Sequence, residues 1–232
     1  MISIVFPDRS IKKFEKGTKV IDVAKSISEG LARKVISASF NKEAYEIESE
    51  LHFDGNIKFH TWEDDEGKQA FWHSSAHILA QTIKFFYPKC KLTIGPSIEN
   101  GFYYDVDFGE DAISEKDFKK IEEKFLEFAR LDSQFEMKSI SKNDALDFYK
   151  KENNQYKIEL IDGLDDGTIT FCDHSDFSDL CKGGHIPSTG IVKAVKLLNI
   201  AGAYWRGDEK NNQLTRIYGI SFPKQKLLTE YL

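Results

Sequence analysis

The strongest constraint on how this chain can fold is a change of pattern near residue 63. Before it, β-rich runs flank a single amphipathic stretch. The acidic run Glu63-Asp64-Asp65-Glu66-Gly67 then breaks the pattern and is the expected domain boundary. Ile2-Ser3-Ile4-Val5-Phe6 reads as a strand, Pro7-Asp8 as a turn, and residues 10–14 as a second strand. Gly17-Thr18 opens a helix with Val20, Ile21, Val23, Ala24 and Ile27 apolar, closing at Gly30. Residues 35–40 and 56–60 read as further strands. Strand, strand, helix, strand, strand is the order of a ubiquitin-like β-grasp module.

Beyond the break, the spacing predicts a long helix over residues 69–86, stopped by Pro88. A turn at Thr93-Ile94-Gly95-Pro96 precedes residues 101–107, which alternate like a strand. Ser114 with Asp117 resembles a capping box, opening a helix to about Arg130 with Phe118, Ile121, Phe125 and Phe128 as its apolar stripe. Ser141 with Asp144 marks a shorter helix. Residues 156–161 and 168–172 look like strands, with Asp162-Gly163 and Asp166-Gly167 as turns. Residues 192–201 are apolar enough to cross a core as either helix or strand, and 224–232 read as the start of a helix.

Composition narrows the class. At 232 residues with 41% hydrophobic content, 18 Phe and 9 Tyr, the chain can bury a sizeable core. No run of eighteen apolar residues exists, and the N-terminus lacks a charged leader with a long apolar stretch, so a soluble, cytoplasmic protein is expected, with no membrane partner. The 3 cysteines, Cys90, Cys172 and Cys181, sit at unrelated spacings and are expected to be reduced thiols. A net charge of −6 argues against holding nucleic acid by phosphate neutralisation alone, so any contact with it should be local.

Two short motifs carry the candidate chemistry. His73-Ser74-Ser75-Ala76-His77 lies on the long helix, where i and i+4 are roughly 40° apart and both imidazoles leave one face. Cys181-Lys182-Gly183-Gly184-His185 lies in a Gly-Gly turn that can aim both end residues at one spot. Three imidazoles and a thiol make either a zinc cage or a hydrolytic pocket on the same plan. The zinc-protease motif H-E-x-x-H is excluded, since Ser74 stands in place of the glutamate. Asp179 is placed to orient a histidine or a water. Lys157 shares a face with Glu159 if its run is a strand, and Tyr103 and Tyr104 point to opposite faces of theirs. His174 reads as a loop residue, and His52 and His60 as surface residues of the first module.

From end to end the chain resembles the N-terminal half of the bacterial-type threonyl-tRNA synthetases. The carrying stretches are His73–Ala80 (HSSAHILA), Ile94-Gly95-Pro96 with Asn100–Asp105 (NGFYYD), Asp179–His185 (DLCKGGH) and Ala201–Asp208 (AGAYWRGD). Lys182 and Gly184 depart from the Arg and Pro usual there. The resemblance implies an α+β protein: a TGS β-grasp domain over about 1–62, an editing domain over 63–223 with a central antiparallel sheet and a long helix, and the start of a linker helix over 224–232. It implies a piece of a longer protein, without the aminoacylation half that would need ATP, Mg and a catalytic zinc and would form the homodimer. It further implies an ester hydrolase, aided by no metal, whose partner is the 3′ end of tRNA(Thr) carrying serine. His73 and Lys157 are then assigned to the sugar edge and one water, and Asp179 and His185 to the serine amine and a second water. His77 and Cys181 line the pocket, and Tyr104 and Gly95 wall it. The rival reading is a zinc-stabilised module that binds RNA or protein.

Overall fold

The computed structural model describes residues 1–232. They form two compact units, Met1–Phe71 with Gly183–Pro187, and Trp72–Lys182 with Ser188–Leu232. The first unit contains β1 (Ile2–Val5), β2 (Ile11–Phe14), β3 (Thr18–Lys19), α1 (Val20–Lys25), α2 (Glu29–Ala32), β4 (Val35–Phe40), β5 (Glu43–Tyr45), β6 (Glu50–Leu51) and β7 (Gly55–Thr61). Its main sheet runs β2-β1-β7-β4-β5, with β1 and β7 parallel and β3 paired to β6 at one side. Alternation along β1 sends Ile2 and Ile4 inward, where they meet Val20, Val23, Val35, Phe40, Leu51 and Ile57 in one core. Each fully buried aliphatic there stabilises the unit by about 1.5–3 kcal/mol relative to exposure.

Two expectations for this unit need correction. The helix expected to run to Gly30 is two helices, because the Ser28 side chain accepts from the Leu31 N–H at 3.0 Å and starts α2 afresh. His60 is not a surface residue. It is 1% exposed, and its Nε2 lies 2.7 Å from the Ser39 hydroxyl across the β4–β7 pair.

α3 spans Asp65–Phe86, so it starts before the expected Gln69. The acidic run is its N-terminus: Asp64 accepts from the Thr61 N–H and hydroxyl, while Asp65 and Glu66 sit in the first turn against the positive end of the helix dipole. The second unit then contains β8 (Lys91–Leu92), β9 (Ser97–Ile98), β10 (Gly101–Asp107), α4 (Phe118–Arg130), β11 (Glu136–Ser139), α5 (Lys142–Lys151), α6 (Gln155–Asp162), β12 (Thr170–His174), β13 (Phe177–Leu180), β14 (Ala194–Tyr204), β15 (Gln213–Phe222) and α7 (Gln225–Tyr231). Its antiparallel sheet runs β14-β15-β10-β8, and a smaller one runs β11-β12-β13. α3 is tied to β15 through Trp72 Nε1 to the Ser221 carbonyl at 3.0 Å and through Ser75 to the Ser221 hydroxyl at 2.7 Å. The protein is α+β, as the sequence leads one to expect. No helix is long and apolar enough to cross a membrane.

The apolar run 192–201 resolves as the start of β14, paired along β15 with a bulge between Leu197 and Asn199. The strand expected at 156–161 is instead α6. Tyr156 to Leu160 alternates apolar and polar, which mimics a strand over so few residues. The ends decide otherwise: Asn154 caps the Lys157 N–H at 3.2 Å, and Gly163 closes the helix.

Candidate active site

Lys157 leaves α6 into the interior of the second unit, 2% exposed, and its ammonium lies 2.6 Å from Asp179 Oδ1. In a helix, positions 157 and 159 face nearly opposite ways, so the shared face expected for Lys157 and Glu159 does not exist. Glu159 instead accepts from Trp205 Nε1 at 2.9 Å and pairs with Arg206 at 2.9 Å. Tyr156 packs on Trp205 and donates to Asp107 at 2.8 Å, while Asn154 donates to the Leu92 carbonyl at 2.8 Å. α6 is thus pinned at its cap and outer face, which fixes where Lys157 enters. The aromatic stretch Ala201–Asp208 contributes through Trp205.

Asp179 is 3% exposed near the end of β13, with both oxygens occupied. Tyr104 donates to Oδ2 at 2.7 Å, Tyr149 to Oδ1 at 2.9 Å, and the Leu180 N–H to Oδ1 at 2.9 Å. The expectation that Asp179 meets a substrate amine therefore has to accommodate a carboxylate already engaged by four protein donors. Burial, then the neighbouring Asp179 charge, pushes both phenols well above their ordinary value, so both stay protonated donors. Sequence reasoning missed Tyr149. Its signal was the helical spacing from Ala145, both being buried on α5.

Gly95 sits against Tyr104: a Cβ there would lie 2.2 Å from the tyrosine ring. Tyr104 is 2% exposed while Tyr103 turns to the other face, where the Arg216 guanidinium lies 3.8 Å from its ring centroid. His73 and His77 leave one face of α3 with ring centroids 4.9 Å apart. His73 Nε2 lies 3.1 Å from Cys181 Sγ. Cys181 follows Asp179 by two residues at the end of an extended strand, so both side chains leave the same side of the chain. His174, expected in a loop, is buried at the end of β12, its ring 6.3 Å from that of His77.

His185 is fully buried, its Nδ1 3.2 Å from Glu46 Oε1. Burial pushes the Glu46 carboxyl up. The hydrogen bond and charge of His185 with the Gly184 N–H outweigh it and hold the group below its ordinary value. Within the second unit, the ligand atoms of His73, His77 and Cys181 lie within 4.8 Å of one another. Two imidazoles and a thiol at that spacing also suit zinc.

Two family models match the chain. Residues 2–61 match the TGS domain, and residues 169–218 match the threonyl and alanyl tRNA synthetase second additional domain. The chain is thus similar to a TGS domain followed by the second additional domain of threonyl and alanyl tRNA synthetases. Over its whole length the chain matches the N-terminal region of bacterial threonine–tRNA ligases. It is 62% identical to the threonine–tRNA ligase of Flavobacterium psychrophilum, 61% to that of Flavobacterium johnsoniae and 51% to that of Clostridioides difficile, with 100% of this chain covered each time. It spans 36% of the length of each of these relatives.

Proposed function

We propose that this chain is the proofreading part of a threonine–tRNA ligase and hydrolyses the ester of serine on tRNA(Thr). A synthetic site for threonine must admit serine, because a missing methyl is worth only about 1–3 kcal/mol of discrimination. A second site that cuts the serine ester supplies the rest. The observation that carries the reading is the placement of Asp179, with Lys157 on it, two residues from Cys181, which touches His73.

Hydrolysis needs a water aimed at the ester carbonyl, a group to manage its proton, and donors for the tetrahedral oxyanion. In this reading His73 handles the proton of a water near the ribose, and Lys157 supplies the fixed positive donor. Asp179 serves as counter-ion to Lys157 and anchor for Tyr104, a revision of the role implied by the resemblance. Tyr104 and the side-chain-free backbone at Gly95 bound the aminoacyl group. His77, Cys181 and His185 line the pocket. The tRNA(Thr) 3′ end is the partner, and ATP, Mg, a catalytic zinc and the homodimer contact belong to the remainder of the longer protein. Single-turnover deacylation of Ser-tRNA(Thr) by this chain tests the reading.

The close grouping of His73, His77 and Cys181 favours a second reading, a zinc-held binding module. Metal analysis with activity before and after chelation separates the two. A structural zinc site loses its fold with the metal, and a metal-free hydrolase keeps both fold and rate.

A further inference from the structure

We propose that Glu46 is a positioning residue for His185, fixing the tautomer and orientation of that imidazole. The inference rests on the reading of His185 as part of the hydrolytic pocket. Glu46 Oε1 faces three donors on one short loop: the Gly184 N–H at 2.8 Å, the His185 N–H at 3.4 Å and His185 Nδ1 at 3.2 Å. A carboxylate only accepts, so Nδ1 carries the hydrogen in this bond, and in the neutral imidazole Nε2 is then left with the lone pair.

Both sides of the contact are built for it. Glu46 follows β5 directly and precedes Ile47, which is 5% exposed in the first unit's core and accepts from the Ile21 N–H through its carbonyl at 2.8 Å. The carboxylate therefore projects from a fixed backbone. Opposite it, Gly183 and Gly184 adopt φ of +100° and +89°, which L side chains rarely do. A Cβ at Gly183 would lie 3.0 Å from Glu46 Oε1, and one at Gly184 3.3 Å from the Ala44 Cβ. The glycines let the loop turn two successive N–H groups onto one oxygen. A proline at 184 could supply neither that φ nor that N–H.

The test compares the full chain with Glu46→Met, which keeps length and packing but removes the acceptor, and with Glu46→Gln, which keeps an acceptor. Long-range proton–nitrogen NMR of histidine-labelled protein reads the His185 tautomer, assigned through His185→Asn. Wild type and Glu46→Gln should show the Nδ1–H form. Glu46→Met should show a mixture and slow Ser-tRNA(Thr) deacylation by about 10–100-fold, the usual cost of losing an orienting partner. An Nε2–H tautomer in wild type, an unchanged tautomer or rate in Glu46→Met, or scrambling in Glu46→Gln would each overturn the proposal. Absence of deacylation by wild type would instead refute the hydrolase reading, while the tautomer comparison still decides the role of Glu46.

Discussion

At the residue scale, the Lys157–Asp179 pair is a buried ion pair to which the proposed function adds a chemical duty. Both side chains are about fully buried, so removing either leaves an uncompensated charge, a loss of roughly 3–5 kcal/mol. Lys157→Ala should therefore lower unfolding free energy as well as activity, and Lys157→Met with Asp179→Leu should be more stable than either single change, as read by urea unfolding. Additive single effects would mean that the pair is not coupled. His73→Ala should differ. His73 is half-buried beside Cys181, and its loss should slow serine release by about 100-fold or more while the unfolding free energy stays within about 0.5 kcal/mol of wild type. That His73 and His77 leave one face was legible, because residues i and i+4 of a helix lie one turn apart. Tyr149 and Glu46 were not, because a tyrosine on a helical stripe reads as core and an exposed-looking glutamate after a short strand reads as surface.

At the scale of elements, caps decided what periodicity could not. The Ser114–Asp117 box was legible and forms, through a 3₁₀ turn at Glu115–Asp117 leading into α4. α6 was misread because its alternation was trusted over Asn154 and Gly163. The Asp117 carboxyl is lowered from 3.8 to about 2 by hydrogen bonds from Lys120 and the Ser114 N–H. A depressed carboxyl stabilises above its unfolded value and loses that contribution as pH falls towards the folded one. Asp117→Asn should therefore flatten the fall in urea midpoint between about pH 5 and about pH 3; an equally steep fall would remove Asp117 from the account. Gly95→Ala probes the pocket wall. Its Cβ would meet the Tyr104 ring at 2.2 Å, so the ring must move off Asp179, and deacylation should fall by about 10-fold or more.

For the whole molecule, the β-grasp order was legible because strand and turn signals are local, whereas the sheet order β14-β15-β10-β8 depends on pairings far apart in sequence that periodicity does not encode. The charge of −6 argues against holding nucleic acid by phosphate neutralisation alone. Prior treatment with a strong chelator should leave far-ultraviolet circular dichroism and deacylation unchanged; loss of the fold with the metal, in a protein that shows no deacylation before treatment, would favour the zinc-held module. The most direct measurement is single-turnover release of amino acid from Ser-tRNA(Thr) and Thr-tRNA(Thr) by this chain under one set of conditions. The account predicts that serine is released at least about 100-fold faster than threonine, since the second site must supply the discrimination that a missing methyl cannot. Equal rates, or no release of serine above the uncatalysed reaction, would contradict it.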